Sequence, residues 1–267
     1  MLFRSFRNSA SAYLNRTPAS ASNQKTWTIS AWVKYSGNNR GQIFGCVDTY
    51  IEFLSTNVIE INLRNGATNY LFDTTQVFRD PSAWYHIVLA VDTTQATSTD
   101  RMKFYVNGSQ VTAFSVNTGY PPQNFNTNVN STTTHSIGCY NINASDFLDG
   151  YLAEMNFVDG QALTPSSFGS TNATTGVWQP KAYTGTYGTN GFYLPFNSST
   201  LNQLYSTSGP GFSTYSAPFQ NPYYATYTGT TVGSGNYTFE CWFNPKYIDP
   251  SNDVGLIGAN GTGGFNI

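Results

Sequence analysis

Thr26-Trp-Thr-Ile-Ser-Ala-Trp-Val-Lys-Tyr35 is the stretch on which the fold turns. Alternation by two puts Trp27, Ile29, Ala31, Val33 and Tyr35 on one face and Thr26, Thr28, Ser30, Trp32 and Lys34 on the other, which predicts a strand with one core face and one mixed face. Outward from it, Ala83-Trp-Tyr-His-Ile-Val-Leu-Ala-Val91 is apolar on both faces, the pattern of a central strand covered on each side. Met102, Phe104 and Val106 alternate with Arg101, Lys103 and Tyr105, then meet Asn107-Gly108 and a second apolar run, a hairpin signal. Further strands are predicted at 42–47, 50–54, 58–63, 134–139, 150–158 and 191–196, with turn formers such as Asn65-Gly66 and Asp159-Gly160 between them. Thr164-Pro165 is expected to cap and open one helical turn. The fold class is all-β, an antiparallel sandwich.

Composition narrows the function classes. Of 267 residues, 39% are hydrophobic, 16% aromatic and only 10% charged, so solubility rests on hydroxyls and amides, as in many extracellular and virion β-proteins. The net charge of −2 is scattered and no Lys/Arg cluster forms a footprint for phosphates, which argues against nucleic acid. Cys46, Cys139 and Cys241 are too far apart for a disulfide framework or a zinc pattern, and buried free thiols are expected. The first residues lack the apolar core of a secretory signal and no run is long enough to insert in a bilayer, so synthesis and folding in a cytoplasm are expected.

Four regions are expected: a mildly basic N-terminal arm at 1–11, a complete sandwich at 12–196, a Ser/Thr/Tyr/Pro-rich linker at 197–229, and an incomplete second copy at 230–267. The second copy rests on Tyr237-Thr-Phe-Glu-Cys-Trp-Phe-Asn244, which repeats the grammar around Trp32 with Trp242 in its place. Gly255-Leu-Ile-Gly258 then echoes Gln42-Ile-Phe-Gly45. A sequence that stops inside a longer protein is the expected explanation of the incomplete copy.

The segments 27–34, 83–92 and 102–108, with Phe147-Leu-Asp-Gly-Tyr-Leu-Ala-Glu-Met-Asn-Phe157, resemble the concanavalin A-like, laminin-G-like jelly roll. Tyr13-Leu-Asn-Arg-Thr-Pro18, Asp159-Gly-Gln-Ala-Leu-Thr-Pro-Ser-Ser-Phe168 and Gly191-Phe-Tyr-Leu-Pro-Phe196 look more narrowly like the laminin-G-like proteins of tailed bacteriophages. The resemblance implies a virion component such as a fibre, tail or capsid-decorating protein, with other virion proteins and host glycans as partners and homo-oligomers expected. It also implies that calcium is possible, through oxygen-rich loops at 92–100 and 141–149.

The same fold class holds glucanases and lyases that use closely placed carboxylates as catalysts. Asp149, Glu154 and Asp159 are five apart, which alternates faces, and Glu52 and Glu60 fall on different strands; a non-enzyme is expected. His86, between Tyr85 and Ile87, is read as a hydrogen-bonded structural histidine, and His135 has no nucleophile beside it. The candidate glycan contacts are Trp32, Tyr105 and Trp242, which lie opposite the apolar stripes of their strands. The competing reading is that both sheet faces are covered and these rings are core or interface.

Overall fold

The computed structural model describes residues 3–36, 39–140 and 145–196. Two antiparallel sheets carry the fold. The first runs in the order β1 (Arg4–Phe6), β13 (Gly150–Asp159), β3 (Thr26–Tyr35), β8 (Tyr85–Asp92), β9 (Met102–Val106), β10 (Ser109–Val111). A last strand, β16 (Phe192–Leu194), also pairs with β13. The second sheet runs β11 (Phe114–Asn117), β7 (Asn69–Thr74), β6 (Ile59–Arg64), β5 (Thr49–Phe53), β4 (Gly41–Cys46), β12 (His135–Ile137), β2 (Leu14–Arg16). A short hairpin of β14 (Gly169–Thr171) and β15 (Trp178–Pro180) stands apart from both.

The core lies between the inner faces. Trp27, Ile29, Val33, Ile87, Leu89, Phe104 and Phe157 come from the first sheet and Phe44, Ile51, Phe53, Ile61, Leu63 and Phe72 from the second, all in one buried cluster. Tyr35 and Phe53 stack across the gap at 4.1 Å and 3°. Each fully buried ring or branched side chain contributes about 1.5–3 kcal/mol of transfer free energy, so this alternating pattern on two sheets is what holds the sandwich. β13 breaks the rule of two once. Its pairing with β3 shifts between Ala153 and Asn156, where Glu154 takes φ of 49°. The bulge resets the phase, so that Leu152, Met155 and Phe157 all reach the core.

β3 spans the residues expected of it, and the hairpin at Asn107-Gly108 has both turn residues at positive φ, the conformation such a two-residue turn demands. Thr164 stays extended and Pro165 opens a single 3₁₀ turn, Pro165–Ser167, but the Thr164 hydroxyl pairs with Ser166 Oγ at 2.9 Å and caps nothing. Cys46 and Cys139 are buried free thiols, with burial pushing both up, Cys139 to about 11.

The N-terminal arm is a correction. Arg4, Ser5 and Phe6 pair with Leu152, Tyr151 and Gly150, and Phe6 is fully buried, so the described part of 1–11 belongs to the first sheet and its core. A strand of three residues carries too few alternations to announce itself. The linker at 197–229 and the second copy at 230–267 lie outside the described residues. No helix among the described residues is long and apolar enough to cross a membrane.

Candidate functional site

A sandwich has two outer faces, and the chain treats them differently. On the first sheet, Val88, Ala90, Tyr105, Val158 and Phe168 form a second buried cluster with Leu163, Tyr183 and Tyr187 packed against it. The segment after β13 thus folds back over its own sheet. Beside that cluster His86 lies between two indoles, stacked on Trp32 at 5.0 Å and on Trp178 at 5.9 Å. Trp178 Nε1 donates to His86 Nδ1 at 2.9 Å, which leaves the proton on Nε2 to donate to Ser30 Oγ at 2.9 Å. Burial holds this imidazole neutral, its pKa pushed down to about 4. The structural reading of His86 agrees with this geometry.

Two of the candidate glycan contacts sit on this covered face. Trp32 is 6% exposed and Tyr105 8%, so neither ring offers an open face, and the premise on which they were chosen is corrected. The physical reason is the apolar outer side of β8: Val88 and Ala90 need a cover, and residues 160–187 supply it. Trp242 lies outside the described residues.

The outer face of the second sheet is polar. Register sets Gln42 opposite Glu52, Glu52 opposite Glu60, and Glu60 opposite Asp73, one row across β4, β5, β6 and β7. Opposed residues have Cβ atoms about 4.5–5.5 Å apart, so three carboxyls crowd together. Arg40, at the end of the β3–β4 connection, lays its Nη2 against Glu52 Oε1 and, at 2.9 Å, against Glu60 Oε1. Its Nε is 3.9 Å from Asp146. Burial raises the Glu52 pKa, with the neighbouring Glu60 adding to the shift against the pull of Arg40, and it raises Asp73 as well. Glu52 and Asp73 are thus harder to ionise than ordinary carboxyls.

Around that row stand rings and further charges. Tyr50 donates to Glu60 Oε1 at 3.0 Å, Tyr140 donates to Asp48 Oδ1 at 3.0 Å, and Arg64 meets Asp48 at 3.4 Å. Tyr50 and Tyr140 meet edge to face at 6.0 Å. Both are part exposed. Burial first, and then the adjacent carboxylates, push both phenols up, Tyr140 to about 12, so they remain hydrogen-bond donors at any physiological pH. Four buried oxygens here lack partners: Gln42 Oε1, Glu52 Oε2, Asn62 Oδ1 and Asp73 Oδ1. Sequence reasoning placed Glu52 and Glu60 on different strands, which holds, but alternation reveals a face and not a cross-strand partner. Their shared row was hidden for that reason.

The remaining candidates are structural. Asp159 accepts from Asn23 N, Asn130 Nδ2 and Asn190 N, locking three loops to the end of β13. Glu154 is bonded by the Tyr193 hydroxyl. His135 donates from Nδ1 to the Thr133 carbonyl at 2.9 Å and accepts the Asn130 N–H at 3.0 Å, and burial puts its pKa at about 4. In the 92–100 loop, Asp92 is taken by Thr26, Thr94 and Gln95, an Asx-type turn that leaves its oxygens occupied. Among the described residues no group of three or more His, Cys, Asp and Glu is placed to hold a metal ion.

None of the curated proteins matches the chain. Solved structures resemble it at low identity. A native heptameric SAP-like pentraxin from Limulus polyphemus is 18% identical with a TM-score of 0.47, over 72% of this chain and 91% of that one. The CBM40 of a Ruminococcus gnavus IT-sialidase, bound to α2,3-sialyllactose, is 14% identical with a TM-score of 0.41, over 62% of this chain and 95% of that one. Domains LG4-5 of the mouse laminin α1 chain are 11% identical with a TM-score of 0.42, over 72% and 46%. These likenesses concern the fold. A laminin-G family model, described as the concanavalin A-like lectin/glucanases superfamily, matches residues 8–167, more than half of the sequence. The chain therefore belongs to the laminin-G branch of the concanavalin A-like lectin/glucanases superfamily.

Proposed function

We propose that this protein is a non-enzymatic glycan-binding module of a phage particle, in a fibre, tail or capsid decoration, and that it binds through the outer face of its second sheet. One observation carries the reading. The first sheet's outer face is covered by the chain itself around Val88, Ala90 and Tyr105, whereas the second presents part-exposed Tyr50 and Tyr140 among Arg40, Arg64, Asp48 and Asp146. Rings edged by fixed donors and acceptors suit sugar faces and their hydroxyls. Virion neighbours and further copies of the chain are the protein partners in this reading, with assembly after cytoplasmic synthesis.

The test is a glycan array followed by titration calorimetry on the full chain. Binding to one or more glycans is expected, and Tyr50→Ala is expected to weaken it by about tenfold, the worth of one ring contact. Retention of full affinity in Tyr50→Ala and Tyr140→Ala alike would move the site elsewhere. Detection of the chain in purified particles by mass spectrometry tests the virion assignment.

A glycoside hydrolase is the second reading, favoured by the opposed Glu52 and Glu60. Retaining chemistry needs about 5–5.5 Å between carboxyl groups, with the sugar between them. Here one guanidinium nitrogen bonds to both carboxyls and lies where a sugar would have to sit, which supports the non-enzymatic reading. Turnover of any polysaccharide that vanished in Glu52→Gln would reverse the choice.

A further inference from the structure

The row beneath the proposed glycan face has more acceptors than donors. Glu52 is 1% exposed, with Oε1 held by Arg40 and Oε2 bonded to nothing. Asn62, 4% exposed, sits opposite Tyr50 on the same face, its Oδ1 also unpartnered, and its amide nitrogen is engaged with Asn69 at 3.4 Å. Asp73 Oδ1 is the third orphan, opposite Glu60. A buried acceptor without a donor costs about 1–3 kcal/mol, so these three, with Gln42 Oε1 in the same row, call for a group that brings donors. The charges facing it are Glu52, Glu60, Asp73, Asp48 and Asp146 against Arg40 and Arg64, an acidic excess. Arg40 sits on this row although its side chain is 45% exposed. It reaches in from a loop, and its carboxylate contacts are those an incoming cation would make.

We propose that the Glu52–Glu60–Asp73 row, with Asn62, is a subsite for a protonated primary amine, such as the ammonium of an amino sugar, and that Arg40 is its resident, displaceable occupant. An ammonium group offers three donors and one charge, matching the acceptor-rich row, while an anionic sugar meets repulsion. The glycan context rests on the function proposed above, but the subsite itself does not. Arg40 keeps the carboxyls paired in the free protein and swings toward solvent when the amine enters.

The experiment uses the full chain and four probes: ethylammonium, glucosamine, glucose and glucuronic acid, each followed by calorimetry and thermal melting. Ethylammonium is expected to raise the melting temperature of the wild type, and glucosamine to bind about tenfold tighter than glucose, the difference between a charge-assisted and a neutral hydrogen bond. Glucuronic acid is expected not to bind. Glu52→Gln with Asp73→Asn keeps the shapes and is expected to erase the amine preference. Arg40→Ala is expected to strengthen ethylammonium binding. Equal binding of glucosamine and glucose to the wild type, or an amine preference that survives the double substitution, would overturn the subsite. Stabilisation by ethylammonium with no sugar bound at all would uphold the subsite and sink the glycan reading instead.

Discussion

The two outer faces of the sandwich were built by opposite means. The first sheet's outer side is apolar along β8, and the chain closes it with its own residues 160–187, ending in the stack of Trp32, His86 and Trp178. The second sheet's outer side carries Gln42, Glu52, Glu60 and Asp73 in one row, and a single loop arginine lies across it. A face sealed by hydrophobic packing is a matter of stability. A face of buried acceptors held by one half-exposed side chain is poised for exchange with something outside.

The sharpest break of this contrast is to unseal the first face. Trp178→Ala removes a ring that presses on Gly108 and Gly169 and strands the His86 acceptor, and it is expected to cost about 4 kcal/mol in urea unfolding. A loss under 1 kcal/mol would mean that the cover is incidental.

Acid is the next lever. The folded pKa values of His86 and His135, about 4, lie below the ordinary 6.5. The folded state therefore binds fewer protons than the unfolded chain between these limits. Stability from each is complete above 6.5 and falls as pH drops toward 4, by up to about 3 kcal/mol per histidine. Glu52 and Asp73 are raised, so their ionisation weakens the fold as pH rises and partly opposes this trend. Melting curves from pH 4 to 7 are expected to show the histidine slope, reduced in His86→Gln.

On the second face the effects are smaller. Arg40→Met leaves two buried carboxyls without their cation, yet Arg40 is half exposed, so a loss of about 1–2 kcal/mol is expected. Adding Glu52→Gln is expected to restore most of it, and a double variant no better than the single would show that the charges are not the cause. Smallest of all, Tyr151→Ser on the open part of the first sheet, where the ring meets only Phe3 and Lys34 among the described contacts, is expected to stay within about 0.5 kcal/mol.

These differences also mark how far the chain can be read in advance. β3 was legible to the residue because ten positions hold five full alternations. The double-sided β8 announced that both its faces would be covered, and Val88 and Ala90 already stood on the side shared with Trp32; that signal pointed to a buried indole there. Strands β1, β2, β14 and β15 have three residues each, too short for any period, and β7 at Asn69–Thr74 was missed beside a polar turn. The Glu52–Glu60–Asp73 row depends on pairing between strands, which only the fold can assign.

β13 carries both ends of the described domain. Below its bulge β1 occupies one flank, and above it β16 occupies the same edge, so Arg4–Phe6 and Phe192–Leu194 lie along one strand. Phe6 and Phe196 touch edge to face at 6.3 Å. Entry and exit are thus side by side, and such a module can be inserted into another chain, set in tandem or cut open elsewhere and rejoined there by a short linker. A permutant that joins 196 to 3 and opens at the exposed Asn65-Gly66 turn would keep both outer faces while moving the chain ends to the rim of the polar one.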